Sequence, residues 1–296
     1  MTTPLLTQIP SVYHRRIGEI LVTAIGDGVV YRNHDMMLDV SQESADVLLA
    51  AAFRHRFQLS INTFLVQTEQ HTVLIDTGSG HFLGATAGRM LANLSQSGVL
   101  PDEIDMVLLT HMHPDHSAGL TDPETSEPIF PAAELVFDER ESKHWFDEKN
   151  RVRATEREQF FMFDLARSQV HPYIDRIRPI VNAEIVPGIT AIPCPGHTPG
   201  HTAFMISSNS EQLLIWGDVV HMPEVQFPQP QVSMVVDVDP AMAAQSRIQM
   251  FDMAASERLL VTGMHLHYPG FGYVDRRENN YHFVPEPWCQ VLTEPA

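Results

Sequence analysis

The feature that most constrains the fold is a cluster of potential metal ligands directly after a short apolar segment. Residues 106–109 are all apolar, as in a strand buried on both faces. Three histidines and an aspartate follow within six positions, namely His111, His113, Asp115 and His116. Imidazole and carboxylate groups suit zinc and similar divalent metals. Because residues two apart in an extended segment project to the same side, His111 and His113 can converge on one ion, which leaves Asp115 and His116 for a second.

Further ligands occur where three later apolar segments end. His197 lies in the Gly- and Pro-rich residues 195–202, Asp218 follows the apolar residues 213–216, and His265 follows residues 260–262. Loops at strand ends are where α/β scaffolds commonly place chemistry. The three segments therefore complete an inventory of ligands for two metal ions.

The ligand types suggest how the predicted ligands are divided between the two ions. A three-imidazole site leaves an open position for water, as catalytic zinc requires, and we assign it His111, His113 and His197. The second predicted site consists of Asp115, His116 and His265. Asp218 is predicted to bridge the ions, because a carboxylate can share its two oxygens and offset the repulsion between two cations.

The remaining histidines and the cysteines leave some alternatives open. His201 precedes a predicted strand, which favours a structural hydrogen bond over ligation. His267 could replace His265 as a ligand, although we prefer His265. His221 is either pocket-lining or surface-exposed. Cys194 is interpreted as a buried apolar-like residue rather than a nucleophile.

Composition and patterning favour one layered α/β (α+β) domain. The chain has 296 residues, 44% hydrophobic and 19% charged, which is typical of a globular protein. We find no repeat or linker, so residues 1–296 are predicted to form a single domain, with residues 1–16 as an irregular N-terminal arm. The pattern predicts strands at 19–25, 61–67, 72–75, 106–109, 191–193, 202–207, 212–216 and 258–262, and helices at 39–54, 90–97, within 138–176 and at 240–256.

Charge excludes several classes of partner. The formal net charge is -18, whereas nucleic acids and anionic membranes require basic patches. No apolar run approaches the ~20 residues that span a bilayer, and the first residues lack a basic region followed by an apolar core. We therefore expect a cytoplasmic protein, or a periplasmic or secreted one if a leader has been removed.

The ordered motifs resemble a known family. The chain contains, in order, His-x-His-x-Asp-His, Gly-His, Gly-Asp and a late His. This order resembles that of the metallo-β-lactamase superfamily. The resemblance implies a four-layer αββα sandwich with the metals at one edge between the sheets, and the same seven ligands. Residues 62–66, 76–78, 196–202 and 265–272 are also similar to the methyl parathion hydrolase family and its lactonase-like relatives. That likeness implies a homodimer and an aromatic wall of Phe82, Trp145 and either Phe160 or, as we prefer, Phe161.

The predicted function follows from the metals. We expect two divalent ions, zinc first and manganese, cobalt or iron as alternatives, with a metal-bridging hydroxide that attacks a neutral ester, lactone or phosphotriester. Asp115 and Asp218 are the predicted catalytic residues, with Asp115 also the proton acceptor. Phe82, Trp145, Phe161 and His221 are predicted to contact a small, partly apolar substrate. The alternatives are a glyoxalase II-like thioesterase and a non-catalytic metal-binding protein on the same fold.

Overall fold

The computed structural model describes residues 8–181, 183–278 and 280–292. Its strands, in chain order, are β1 Val12–Ile17, β2 Ile20–Arg32, β3 Met37–Leu38, β4 Phe57–Gln67, β5 Thr72–Ile75, β6 Met106–Leu108, β7 Glu134–Phe137, β8 Ile177–Pro179, β9 Glu184–Val186, β10 Ile189–Pro193, β11 Thr202–Ser208, β12 Glu211–Ile215, β13 Ser233–Met234, β14 Leu260–Thr262, β15 Gly272–Arg277 and β16 Asn280–Pro285.

The helices lie between strands, α1 to α7 before β8 and α8 and α9 after β12. They are α1 Gln42–Ala51, α2 Met90–Gln96, α3 Pro114–Ser117, α4 Glu139–Trp145, α5 Glu148–Arg151, α6 Glu156–Glu158, α7 Leu165–Val170, α8 Pro223–Gln226 and α9 Pro240–Glu257. A π-helical turn at Gln159–Asp164 joins α6 to α7, and short 3-10 turns lie at His34–Met36, Pro101–Glu103, His171–Arg176 and Gly217–Val219.

The strands of the described residues form two seven-stranded sheets and one small ladder. The first sheet has the order β1-β2-β4-β5-β6-β7-β8, and the second has the order β16-β15-β14-β12-β11-β10-β9. Strands β5 to β8 run parallel to one another, as do β12 and β14. Parallel strands carry their carboxyl ends to the same edge, so the loops after β5, β6, β12 and β14 are available to build one site.

The core lies between the two sheets and on their outer faces. Phe64 and Leu108 from the first sheet pack with Phe204 and Leu213 from the second in one buried apolar cluster. Fully burying one such side chain contributes ~1.5–3 kcal/mol. A second cluster packs the first sheet against α2, α4 and α7, and a third packs the second sheet against α9. The layers therefore follow the order αββα, which confirms the predicted fold.

Two hydrogen-bonded contacts join the sheets at the edge where the ligand-bearing loops meet. The N–H of Thr202 donates to the carbonyl of Thr110 at 2.9 Å, and the N–H of Asn62 donates to the carbonyl of Met264 at 2.9 Å. The Asn62 side-chain amide also donates to the carbonyl of Leu266 at 2.7 Å. These bonds fix the loops of one sheet relative to those of the other.

Several element predictions need correction. The sequence assigned residues 1–16 to an irregular arm, but Val12–Ile17 forms the edge strand β1, paired antiparallel with β2; residues 1–7 lie outside the described part. Residues 138–176 form a series of short helices because Asp147 and Thr155 cap new helical starts within the segment. Among the residues that the structure describes, every helix is too short or too polar to cross a bilayer.

Candidate metal centre

Loops at the carboxyl ends of parallel strands carry six of the seven predicted ligands. His111, His113, Asp115 and His116 follow β6, with α3 beginning at Pro114. His197 lies in the loop that joins the antiparallel strands β10 and β11. Asp218 follows β12, and His265 follows β14, which is the parallel neighbour of β12. The first sheet supplies one half of the cluster and the second sheet supplies the other.

The three imidazoles predicted to share one ion are in contact. Nε2 of His197 lies 3.1 Å from Nε2 of His111 and 2.9 Å from Nδ1 of His113. All three side chains are buried. Burial holds the pKa of His111 and of His113 well below the usual range, so both rings are neutral and can present a lone pair.

The second predicted group lies beside the first. His116 Nε2 is 3.7 Å from Asp115 Oδ1, and His265 Nε2 is 3.5 Å from Asp115 Oδ2. Asp115, His116 and His265 offer ligand atoms within 4.8 Å of one another, as do His111, His113 and His197. The geometry thus brings together the members of each predicted group, and it places His111, His116 and Asp218, and also His197, Asp218 and His221, within the same reach.

Asp218 lies between the two groups. Its Oδ2 is 3.2 Å from Nε2 of His116, 3.2 Å from Nε2 of His197 and 3.1 Å from Nε2 of His265. Burial alone would raise the pKa of this carboxyl group, but the surrounding imidazoles hold it well below its usual range. Asp218 is therefore an ionised carboxylate within reach of ligands from both groups.

The outer nitrogens of the histidines reveal what the inner ones can do. Nδ1 of His265 lies 2.7 Å from the carbonyl oxygen of Ser60, which can only accept, so this nitrogen carries the hydrogen. Nδ1 of His116 and Nδ1 of His197 lie 2.7 Å from Asp76 and Asp237 respectively. Each contact directs Nε2 toward the centre, which is the arrangement that metal-bound histidines adopt.

Polar atoms at the centre also lack partners. Among the described residues, Nε2 of His116 and Oδ1 of Asp218 are buried without a hydrogen bond. Buried polar groups are normally satisfied, so these two atoms indicate a missing partner. A cluster of nitrogen and carboxylate donors with these properties fits divalent cations such as zinc.

Two of the remaining histidines have structural partners. His201 donates from Nδ1 to the carbonyl of Cys194 at 2.8 Å, and its Nε2 accepts the N–H of Asp218 at 2.9 Å. The structural role predicted for His201 is thus confirmed. His267 lies 2.6 Å from Glu224 and outside the cluster, which agrees with the choice of His265. Burial raises the pKa of Cys194 to about 12, so this thiol is not an activated nucleophile.

The predicted substrate-contacting residues have different positions. Trp145 is buried, and its ring centroid lies 5.3 Å from that of His113. Phe82 stacks on His81, and Phe161 packs on Phe160. Among the described residues, the Trp145 ring therefore contacts the histidine cluster, whereas the rings of Phe82 and Phe161 contact other residues.

His221 is a buried member of the cluster. Its Nε2 lies 3.0 Å from Asp218 Oδ2, and its ring stacks on His265 with centroids 5.0 Å apart. Between the two alternatives that the sequence left open, the structure excludes surface exposure. Nδ1 of His221 has no partner among the described residues.

Sequence reasoning missed the carboxylates behind the ligands. Asp76 accepts hydrogen bonds from Thr110 and His116, and Asp237 contacts His197. Glu141 is a further buried carboxylate, on α4. Asp76 could have been found, because it follows β5 directly, just as Asp218 follows β12 closely. Asp237 also follows an apolar run, residues 234–236, whereas Glu141 has no comparable signal because it lies in a charged stretch.

Comparison with known families identifies the class to which this fold and this cluster belong. The family model described as the Metallo-beta-lactamase superfamily matches residues 56–247, which is more than half of the chain. The protein therefore belongs to the metallo-β-lactamase superfamily. Among solved structures, it is similar to AbOPH, a hydrolase in the beta lactamase superfamily, with 28% identity and a TM-score of 0.90 over 96% of this chain and 100% of that chain.

Other relatives are more distant or match a smaller part. AidC, described as a dizinc quorum-quenching lactonase in complex with a product, has 24% identity and a TM-score of 0.88 over 95% of this chain and 99% of that chain, which shows the shared fold. The uncharacterized protein YobT of Bacillus subtilis (strain 168) is 28% identical over 163 residues, 55% of this chain and 63% of YobT. An atrochrysone carboxyl ACP thioesterase of Aspergillus fumigatus is 38% identical over 74 residues, 23% of this chain and 16% of that protein.

Proposed function

We propose that the protein is a dinuclear metal-dependent hydrolase of neutral esters, lactones or phosphotriesters. The observation that carries this proposal is the set of inward-facing imidazole nitrogens around Asp218, whose outer nitrogens are held by oxygen acceptors. Superfamily membership supports it, since solved relatives include hydrolases and lactonases.

The proposed roles divide between the ions and the side chains. Two divalent ions, zinc first and manganese, cobalt or iron as alternatives, would supply a hydroxide at neutral pH and polarise the oxygen of the electrophile. His111, His113 and His197 would hold one ion, and Asp115, His116 and His265 the other, with Asp218 shared. The Asp115 side chain is 20% exposed, whereas that of Asp218 is 2% exposed. Asp115 is therefore the carboxylate that can accept a proton and pass it to solvent.

The proposed substrate is small, neutral and partly apolar. Trp145 places an indole ring against His113, which suits an apolar group beside the reacting centre. The likeness to AidC supports a lactone as the first candidate. On the resemblance to the lactonase-like relatives, we also propose that the chain forms a homodimer.

Thioester hydrolysis is the second candidate. The observation that favours it is the 74-residue match to the ACP thioesterase, at 38% identity. A thioester presents the same electrophilic carbonyl carbon as an ester, so the same centre could act on it. The two candidates differ in the leaving group and are separated by a direct comparison of substrates.

The function is tested by metal content and substrate preference together. We expect the zinc-loaded wild type to bind two ions per chain and to show its highest kcat/KM on one member of a panel of acyl-homoserine lactones, aryl esters, methyl phosphotriesters and acyl thioesters. Asp218→Ala and His113→Ala should lose bound metal and at least 100-fold in activity, that is, about 2.7 kcal/mol or more of barrier. Full turnover by metal-depleted Asp218→Ala would contradict the proposal, and a chain that binds metal but turns over no member of the panel would favour the non-catalytic alternative.

A further inference from the structure

Glu141 is a buried carboxylate that lies outside the candidate ligand set. It is on α4, and its exposed fraction is 0%. An isolated carboxylate in such a position is strongly unfavourable, so its retention requires hydrogen-bond partners. The identity of those partners indicates what Glu141 does.

Three N–H groups donate to the Glu141 carboxylate. Oε2 accepts from the backbone N–H of Met112 at 3.0 Å and from the indole N–H of Trp145 at 2.8 Å. Oε1 accepts from the backbone N–H of Gly200 at 2.8 Å. Because each of these partners is a donor, the acceptor-only carboxylate is the form that matches all of them.

Two of the three donors belong to separate parts of the candidate metal centre. Met112 lies between His111 and His113, and Gly200 lies three positions after His197 in the β10–β11 loop. One carboxylate therefore ties together the two chain segments that carry all three imidazoles of the first site.

The fit between helix and loop is close. A Cβ atom added at Gly200 would lie 2.8 Å from the backbone nitrogen of Glu141 and 2.9 Å from its Cγ. Glycine thus permits the loop to approach α4 closely enough for its N–H to reach Oε1. Trp145, held through the same carboxylate, packs its ring against His113.

We propose that Glu141 is a positioning residue for the ion held by His111, His113 and His197, and that it couples this ion to the orientation of Trp145. The inference rests on the proposed function and extends it to a residue that would not touch either ion. The charge of Glu141 also favours binding, because Asp115 and Asp218 leave part of the charge of two divalent cations uncompensated.

The test is Glu141→Gln in the full-length protein. This change keeps the shape but replaces one acceptor oxygen with an NH2 group, which must face one of the three N–H donors. We expect the affinity for one of the two ions to fall about 10–100-fold while the other ion is retained. Competition with a chromogenic chelator measures each affinity, and the visible spectrum of the Co²⁺-loaded protein reports the changed coordination.

Glu139→Gln is the matched control, because Glu139 is on the same helix, is exposed and pairs with Lys143. It should bind both ions as the wild type does. Gly200→Ala is a second variant, which leaves Glu141 intact and displaces the loop from it; the same selective loss is expected. If Glu141→Gln does not fold, Gly200→Ala still tests the positioning role of Glu141.

Failure of the positioning role of Glu141 and failure of the proposed dinuclear function give different results. Wild-type affinities and an unchanged Co²⁺ spectrum in Glu141→Gln, or in Gly200→Ala where Glu141→Gln does not fold, overturn the positioning role even if the variant is less stable. A wild type that binds fewer than two ions contradicts the proposed dinuclear function instead.

Discussion

An oxygen atom holds the outer nitrogen of four of the five candidate ligand imidazoles. Nδ1 of His116, of His197 and of His265 contacts an oxygen acceptor, and Nδ1 of His111 contacts the hydroxyl of Thr110. His221 lacks such a partner among the described residues, although its Nε2 reaches Asp218. His197, Asp218 and His221 lie close enough to share an ion, but metal-bound histidines are normally held by a second group, so we expect His221 to contact substrate instead.

His221→Asn tests this distinction. The variant should keep two bound ions and lose about tenfold in kcat/KM, because one lost hydrogen bond to substrate is worth ~1 kcal/mol or slightly more. His265→Asn is the comparison and should lose metal. Metal analysis alongside kinetics on the best substrate measures both effects. Loss of an ion from His221→Asn would make His221 a ligand and contradict the assignment.

The seven candidate ligands could be predicted residue by residue because each follows an apolar segment or stands in a Gly- and Pro-rich loop. Asp76 could have been found in the same way, but which group holds which imidazole could not be predicted. Asp237 reaches His197 across 40 positions, and Ser60 reaches His265 across 205 positions through its backbone carbonyl. Such contacts depend on how distant loops pack, and a backbone carbonyl has no side-chain signature at all.

At the scale of elements, the turn after β12 is decisive for the position of Asp218. Gly217 has a φ of 61°, and a Cβ atom there would meet Nε2 of His201, the acceptor of the Asp218 N–H. A left-handed conformation costs a non-glycine residue about 1–2 kcal/mol. The turn therefore requires glycine for both conformation and space.

Gly217→Ala should be less stable than the wild type by more than the ~1–2 kcal/mol of backbone strain, and should bind less metal, because the added methyl group displaces His201 and with it Asp218. Gly98→Ala is the matched control: Gly98 has a φ of 84° but open space around its Cα, so only the strain applies. Denaturant unfolding and metal content measure the two effects. Equal losses of stability with full metal content in both variants would refute the argument.

The sequence predicted helices and strands correctly where apolar residues recur with a strong period. It missed strands that consist largely of exposed or half-buried polar residues. Thr72–Ile75 was predicted with its observed bounds, and Pro240–Glu257 to within one residue. Strands β15 and β16 were missed, because their exposed and half-buried polar residues resemble a loop. Pairing between these two strands, which the sequence does not encode locally, explains why they form.

At the scale of the whole molecule, the candidate centre joins the two sheets. Loops of the first sheet supply His111, His113, Asp115 and His116, and loops of the second supply His197, Asp218 and His265. Ions bound there would connect strand ends that the unfolded chain does not bring together. Metal binding should therefore stabilise both sheets, not only the loops that contain the ligands.

Removal of the metal by a chelator should lower the melting temperature in proportion to the ions lost. A ligand at 100 times its Kd contributes about 2.7 kcal/mol, which for a chain of 296 residues corresponds to roughly 4 °C per ion. Calorimetry with stepwise return of zinc measures the shift, and hydrogen exchange at β6 and β14 shows whether both sheets respond. Glu139→Gln should follow the wild type, whereas Asp218→Ala should melt at the same temperature with or without zinc. Identical melting temperatures of metal-free and zinc-loaded wild type would contradict a centre shared between the sheets. Ions held by ligands from both sheets must favour the folded state, because those ligands are dispersed in the unfolded chain.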